Sequence, residues 1–222
     1  MIIFDCDGVL VESEVLVVRH EEAALKEVGF DVSFDEIVEQ FVGLSYASME
    51  ASLVAQFGRP LPEGFFAKVQ ADALARFPDE LEPVAGMVEF VASVQGKKCV
   101  ASSSGLDRIN LSLEVTGHAT NFDQAHIFSA QMVERGKPEP DLFLHAAEQM
   151  GVDPTNCIVI EDSAHGVRGA LAAEMAVIGL IAGGHCIPTI GNRLSAAGAN
   201  AIARSVDELP GLVAKLRSLN CS

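Results

Sequence analysis

The sequence predicts a doubly wound α/β fold, a Rossmann-like parallel sheet core with an all-helical cap domain inserted into it. The first observation is that short apolar runs alternate with longer stretches of helical periodicity, the pattern of parallel strands joined by helices. The second is that only amphipathic helical stretches separate the first strand from about residue 83. So much helix between consecutive strands exceeds what one crossover needs, so it indicates an insertion.

Five apolar segments are the candidate strands. Each has four or five residues and is bounded by Gly, Ser, Asp or Glu. They are residues 1–4, 98–101, 157–160, 176–180 and 200–203.

Helical stretches lie between these strands, and several carry end signals. Gly151 is placed to end the helix over 140–150, and Ser163 is placed to cap the helix that runs to residue 173. Ser205 and Glu208 have the spacing of a capping box for the last helix.

The insertion is expected to form a helical domain of its own. Its amphipathic stretches cover residues 14–28, 34–41, 48–57 and 65–77. We therefore predict a core of residues 1–12 and 82–222 and a helical cap of residues 13–81.

The charge balance limits the kinds of partner. Lys and Arg number 15 against 31 Asp and Glu, which gives a formal net charge of −16. Such an acidic surface repels phosphate backbones, so nucleic acid is not expected as a partner. A small anionic substrate is compatible with it, because a bound cation and a few local donors can reverse the field inside one cleft.

The sequence contains no signal for export or membrane insertion. Its five cysteines are scattered without a CxxC pair, which favours buried thiols in a reducing compartment over disulfides or a zinc site. No apolar run approaches the roughly 18 residues that span a bilayer, and no signal peptide is visible. A cytoplasmic protein without membrane partners is therefore expected.

Two carboxylates follow the first candidate strand, in the run Asp5-Cys6-Asp7-Gly8. They leave the carboxyl end of a buried strand, where open α/β sheets bind ligands, and Gly8 allows a tight turn. One carboxylate could act as a nucleophile and the other as a general acid and base. The alternative for this run taken alone is a solvated turn. A calcium loop is excluded, because it needs its glycine and glutamate at other positions.

Three further groups supply anion-binding and cation-binding chemistry. Ser102 and Ser103 follow the second strand and open a helix, which makes an anion site. Lys137 precedes a proline-started helix and could contact a phosphate as a point charge. Glu161 and Asp162 follow a later strand; beside the first two carboxylates they would repel unless a cation such as Mg²⁺ lies among them. Each group alone has an ordinary structural explanation, but together they supply the parts that phosphoryl transfer needs.

On these motifs the sequence resembles the haloacid dehalogenase superfamily, in its branch of phosphatases and β-phosphoglucomutase-like enzymes. The matching runs are 5–10, the strand into Ser102, 137–141, and 160–163 followed by Gly166, in the family's order. The resemblance implies Mg²⁺-dependent hydrolysis of a small phosphorylated metabolite, a sugar phosphate or related phospho-acid, through an aspartyl-phosphate. An enzyme of this kind can act as a monomer.

The resemblance also implies a role for each matched residue. Asp5 would attack phosphorus, and Asp7 would act as general acid and base. The implied phosphate ligands are Ser102, the Ser103 amide and Lys137. The implied metal ligands are Asp5, Asp7 through its backbone carbonyl, Glu161 and Asp162.

Alternatives to a phosphatase stay open at this point. A phosphosugar mutase of the β-phosphoglucomutase type shares these motifs, but Val17 and the run at 43–46 replace its cap histidine and arginine. A phosphate-binding regulatory protein without turnover would share the fold, and the intact pair of Asp5 and Asp7 argues against it. Relatives that hydrolyse haloacids lack the second aspartate, so Asp7 also argues against dehalogenation.

The cap is expected to select the substrate, since it closes over the cleft and excludes water. The polar cap residues that could contribute are Glu12, Arg19, His20, Tyr46, Lys68 and Arg76.

Overall fold

The centre of the structure is a parallel sheet of six strands. The computed structural model describes residues 1–41, 46–186 and 188–219. In that part of the chain the strands are β1 (Ile2–Phe4), β2 (Lys98–Ser102), β3 (Ile127–Ser129), β4 (Ile158–Glu161), β5 (Ala176–Leu180) and β6 (Ala201–Ala203). They lie in the order β3-β2-β1-β4-β5-β6, with every neighbouring pair parallel. The predicted parallel α/β sheet is confirmed.

Eleven α-helices accompany the sheet within the same described ranges. They are α1 (Ser13–Glu27), α2 (Phe34–Gln40), α3 (Tyr46–Phe57), α4 (Phe65–Ala75), α5 (Phe77–Glu80), α6 (Met87–Ser93), α7 (Leu106–Val115), α8 (Asp141–Met150), α9 (Ala164–Ala172), α10 (Pro188–Ala196) and α11 (Leu209–Leu219). None of these helices is both long enough and apolar enough to cross a membrane.

Helices cover both faces of the sheet. Successive side chains of each strand point to opposite faces, so apolar strands present two faces that must be buried. Ile2 and Phe4 belong to the apolar cluster that α6, α7 and α11 complete. Ile3, between them, belongs to the cluster that α8, α9 and α10 complete. Strands buried on both faces are expected to be apolar throughout, as the run over 2–4 is.

The strand order places a binding crevice beside β1. Successive strands run from β1 through β2 to β3 on one side, and from β4 through β5 to β6 on the other. The chain therefore leaves the carboxyl ends of β1 and β4 in opposite directions, and ligands bind at such a switch point. Asp5 follows β1 at this point, and Asp162 follows β4.

Two antiparallel segments connect helices α1–α5 to the sheet. Val11 pairs with Pro83. The Glu12 N–H donates to the Glu82 carbonyl at 2.9 Å, and the Val84 N–H donates to the Leu10 carbonyl at 3.0 Å. The boundaries predicted between a core (1–12 and 82–222) and a cap (13–81) fall on these segments, and the division itself stays a prediction.

The predicted ends of two helices agree with the structure. The Ser163 hydroxyl accepts a hydrogen bond from the Gly166 N–H at 3.0 Å, so Ser163 caps α9. Gly151 ends α8 in the left-handed region, with a φ of 59°.

The structure differs from the sequence prediction at two places. Strand β3 was not among the predicted strands, because its three residues lie between 3-10 turns over 124–126 and 130–132 and show too little periodicity. The capping box predicted at Ser205 and Glu208 is wrong. A 3-10 turn over 206–208 delays α11, the Ser205 hydroxyl makes no cap bond, and the Glu208 carboxylate accepts from the Arg204 N–H.

Candidate active site

The residues proposed from the sequence meet at the carboxyl edge of the sheet. A cavity of about 660 Å³ opens there. The predicted residues that line it are Asp5, Asp7, Ser102, Ser103, Lys137 and Asp162. Glu161, the seventh, is fully buried and contacts Lys137 beside the cavity. Residues separated by more than 150 positions in the chain are thus brought together by the parallel strand order.

Asp5 and Lys137 form a buried ion pair at the base of the cavity. The Asp5 N–H donates to the Ile160 carbonyl at 3.1 Å, which fixes the residue against β4. The Lys137 ammonium lies 2.9 Å from Asp5 Oδ1, off the hydrogen-bonding direction, and 2.5 Å from Glu161 Oε1. Only 4% of the Lys137 side chain is exposed, so its charge acts on these two carboxylates with little screening by water.

The positive charge of Lys137 does not offset the burial of Asp5 and the neighbouring carboxylates. Burial raises the pKa of Asp5 well above its ordinary value; Lys137 opposes this shift, and the three neighbouring carboxylates reinforce it. An ionised nucleophile at this position therefore needs a further positive charge.

A carboxylate cluster could supply the ligands for a cation. Oxygens of Asp5, Glu161 and Asp162 lie within 4.8 Å of one another. Glu161 is committed to the protein, since its Oε2 accepts from both the N–H and the hydroxyl of Ser163 at 2.9 Å. Within the described ranges, Asp5 Oδ2 and Asp162 Oδ1 make no hydrogen bond or ion pair. Carboxylate oxygens in this arrangement suit Mg²⁺, which prefers oxygen ligands.

Asp7 is held by donors from two parts of the fold. The Ser13 hydroxyl, at the start of α1, donates to Oδ1 at 2.6 Å. From the segment after β2, the Ser104 hydroxyl donates to Oδ2 and the Arg108 guanidinium donates to Oδ1, each at 2.6 Å. Burial alone would raise the pKa of Asp7, but the Arg108 charge and the two hydroxyls lower it below its ordinary value. The carboxylate is therefore oriented and ionised, and it can accept a proton.

The segment after β2 forms the side of the cavity opposite the carboxylate cluster. The Ser102 side chain is buried, and its hydroxyl accepts from the Ser104 N–H at 3.1 Å. The same hydroxyl lies 3.5 Å from Asp7 Oδ2. Ser103 lies at the cavity wall between them, before α7 begins. A hydroxyl and the amides before a helix can bind an anion at this wall.

His185 reaches the carboxylate cluster from the loop after β5. Its Nε2 lies 3.1 Å from Asp162 Oδ2, and the residue is 2% exposed. Burial alone would lower the pKa of His185, but the carboxylate of Asp162 and the thiol of Cys186 raise it to about 11. In the same loop the Gly184 N–H donates to the Glu12 carboxylate at 2.9 Å. This loop therefore contacts both the cluster and Glu12, the residue that precedes α1.

Gly8 allows the first motif to approach the cluster. Its φ is +75°, and a Cβ built on it would lie 1.9 Å from Asp162 Oδ2. Both the conformation and the close contact exclude a side chain at this position.

Replacing Gly8 with Ala is therefore expected to weaken Mg²⁺ binding at least about tenfold, because Asp162 must move. Gly58 provides the matched control: its φ is +67°, and its Cβ would meet nothing within 4 Å. Gly58→Ala should lower the free energy of unfolding only by the backbone strain of about 1–2 kcal/mol, and it should leave metal binding unchanged. Calorimetric Mg²⁺ titration and urea unfolding of both variants measure this, and equal metal affinities would contradict the role assigned to Gly8.

Residues 2–180 match the family described as haloacid dehalogenase-like hydrolase. This chain belongs to that family. Among curated relatives, it is 29% identical over 190 residues to 6-phosphogluconate phosphatase of Escherichia coli, covering 85% of this chain and 86% of the relative.

Solved structures of haloacid dehalogenase-like proteins agree with the fold. A conserved protein of Agrobacterium tumefaciens has a TM-score of 0.91 and 34% identity, with 97% of each chain covered. A hydrolase of this family from Deinococcus radiodurans, solved with bound phosphate and sodium, has a TM-score of 0.87 and 32% identity, covering 97% of this chain and 95% of that one.

Sequence reasoning missed several residues that this haloacid dehalogenase-like hydrolase places at the site. Ser13 and Glu14 directly follow the first motif, and Arg108 lies on the helix after the serine run, so adjacency to the motifs was the available signal. His185 follows a strand's carboxyl end like the other groups. Of the polar residues expected to select substrate, His20 and Arg76 instead face Glu80 outside the cavity.

Proposed function

We propose that this hydrolase is a magnesium-dependent phosphomonoesterase that acts on a small phosphorylated metabolite, a sugar phosphate or related phospho-acid. The observation that carries the proposal is the buried Asp5 beside Lys137, with Asp7 lining the same cavity. A nucleophile, its counter-charge and an acid-base group then converge on one point. Similarity to a named 6-phosphogluconate phosphatase supports a phosphoric monoester as the substrate.

The first half of the reaction transfers the phosphoryl group to Asp5. Ser102, the Ser103 amide and Lys137 hold the phosphate in front of the carboxylate, whose oxygen forms a bond to phosphorus. The ester bond to the leaving oxygen breaks, and Asp7 gives that oxygen a proton. The negative phosphate raises the pKa of the neighbouring Asp7, so substrate binding favours the protonated acid that this step needs.

The second half returns the enzyme to its starting state. Asp7, now ionised, removes a proton from a water molecule that attacks phosphorus. The bond between phosphorus and Asp5 breaks, and inorganic phosphate leaves. The donors from Ser13, Ser104 and Arg108 suit the ionised form of Asp7 that begins this step.

Magnesium would be held by Asp5, Asp162, Glu161 and the backbone carbonyl of Asp7. It would supply positive charge next to the transferring phosphate and lower the pKa of the nucleophile. Glu161 would act chiefly through its partners, since Lys137 and Ser163 already occupy its oxygens.

A cap of residues 13–81 would close over this cavity and exclude water until the phosphate is bound. The mutase alternative is less well supported. Val17, in place of its cap histidine, offers no proton donor, and residues 43–45 of the cap turn lie outside the described part of the chain. Water is therefore the favoured acceptor of the phosphoryl group.

The test is phosphate release from a panel of sugar phosphates, phospho-acids and nucleotides. With Mg²⁺ we expect release from at least one metabolite, loss of release in EDTA, and recovery when Mg²⁺ is restored. Isomerisation of a phosphosugar without release would favour the mutase. Binding of phosphate compounds without either reaction would favour a regulatory protein.

A further inference from the structure

The inserted helices place one carboxylate in the cavity. Glu14 lies in the first turn of α1, directly after Ser13, whose hydroxyl holds Asp7. It lines the same cavity as Asp7 and Arg108. Within residues 1–41, 46–186 and 188–219, its carboxylate makes no hydrogen bond and no ion pair. Glu14 is therefore an acceptor that faces the site without a protein donor.

Glu14 is half-buried at the cavity wall, and a carboxylate that is partly withdrawn from water gains from a ligand that donates to it. Burial raises the pKa of Glu14 to about 7, with the charges of Asp7 and Asp162 adding to the shift. Glu14 is not a member of the cluster of Asp5, Glu161 and Asp162 that could hold a metal. A ligand that donates hydrogen bonds is the partner that its carboxylate lacks.

The surroundings of Glu14 disfavour a second anion on the substrate. The cations that line the cavity already face protein acceptors: Arg108 donates to Asp7, Lys137 contacts Asp5 and Glu161, and Arg193 donates to the Glu39 carbonyl. Of the two histidines that line it, His185 contacts Asp162, and His165 is exposed. Further along α1, the buried Glu21 pairs with Tyr46. The charges of His185 and Arg108 oppose the rise in the pKa of Glu14 but do not reverse it.

The position of Glu14 relative to Asp7 determines which part of the substrate it meets. Asp7 must contact the ester oxygen of the leaving group, and Ser13 joins Asp7 to the first turn of α1. Since Glu14 lines the same cavity and the charge of Asp7 acts on it, the atoms next to the ester oxygen would lie near its carboxylate. A hydroxyl there would donate to the carboxylate, whereas a carboxylate there would be repelled.

We propose that Glu14 selects substrates whose leaving group carries hydroxyls close to the ester oxygen, a polyol or sugar monophosphate in preference to a phospho-acid. The inference rests on the proposed phosphatase function, and it chooses between the two substrate classes left open above. Glu14 is thus a specificity-determining residue at the boundary between the inserted helices and the sheet.

The experiment compares kcat/KM for three phosphates with a three-carbon skeleton: glycerol 3-phosphate, n-propyl phosphate and 3-phosphoglycerate. The wild-type enzyme should prefer glycerol 3-phosphate to propyl phosphate by about ten- to a hundred-fold, the usual worth of hydrogen bonds to a charged group. In the Glu14→Leu variant, kcat/KM should be similar for glycerol 3-phosphate and propyl phosphate. Glu14→Gln keeps the shape of the side chain but removes its charge. It should raise kcat/KM for 3-phosphoglycerate relative to that for glycerol 3-phosphate.

Glu21→Gln is the matched control, because it removes a buried carboxylate from the same helix outside the cavity. It should leave the ratios between substrates unchanged. An equal loss for all three substrates in both Glu14 variants would assign Glu14 a structural role and overturn the inference. So would a wild-type enzyme that does not distinguish glycerol 3-phosphate from propyl phosphate. If neither these three substrates nor the wider panel release phosphate, the result would instead count against the proposed phosphatase function.

Discussion

Replacing Asp5 with Asn should lower phosphate release at least about a thousand-fold, the scale of losing a covalent nucleophile. The amide keeps the shape of the side chain but cannot form an acyl phosphate. Release from the best substrate of the panel, measured at saturating Mg²⁺, tests this. Asp141→Asn is the control, because Asp141 is an acid outside the cavity that pairs with Arg135.

The same substitution should not destabilise the fold in metal-free buffer. Burial and neighbouring carboxylates raise the pKa of Asp5, so the folded state binds more protons than the unfolded state. The stability of the wild-type protein therefore falls as pH rises from about 4 through that raised pKa, and Asn removes this loss. Urea unfolding should show that the free energy of unfolding of Asp5→Asn rises relative to that of the wild type as pH increases. A variant that keeps more than a tenth of the activity would exclude Asp5 as the nucleophile.

Replacing Lys137 with Met should both abolish phosphate release and destabilise the protein by about 3–5 kcal/mol near neutral pH, because it leaves buried carboxylates without their cation. The Lys137 side chain is 4% exposed, and its ammonium contacts Asp5 and Glu161. Although burial lowers the pKa of Lys137, those two carboxylates raise it above its ordinary value of 10.5. Its stabilising charge is therefore present across the pH range 5–8.

The destabilisation by Lys137→Met should depend on pH. Without the ammonium, the pKa of Asp5 in the folded state rises further, so the folded variant takes up protons and loses less stability at pH 5 than at pH 8. Urea unfolding at both pH values measures the difference, with Lys68→Met as the control on the exposed side of α4. A loss of the same size at both pH values, or below about 1 kcal/mol, would show that the ion pair does not stabilise the fold.

The sequence predicted the sheet and the first motif because both are encoded locally. A run of buried apolar residues ends at Asp5, and the rule that ligands bind at carboxyl ends of parallel strands brings Ser102 and Asp162 to the same place. Strand β3 escaped prediction because three residues between turns carry no periodicity.

The partners of Asp7 could not be predicted because they depend on tertiary packing. Ser104 and Arg108 reach it across about a hundred positions of chain, and no local pattern encodes that contact. Likewise, the periodicity of α1 shows that one face is buried, but not that Glu14 points into the cavity while His20 faces Glu80. The polar cap residues chosen from sequence therefore missed the one that the structure places beside Asp7.

The most direct test of the account is to trap the phosphorylated side chain. Asp7→Asn should slow the attack of water, so that the phosphoenzyme accumulates during turnover of acetyl phosphate, whose leaving group needs no acid. After acid quench, borohydride reduction converts an aspartyl-phosphate to homoserine, and peptide mass spectrometry locates it. The account predicts homoserine at position 5 alone, dependent on Mg²⁺. Homoserine at another position, or acetyl phosphate turnover with no trapped residue, would contradict it.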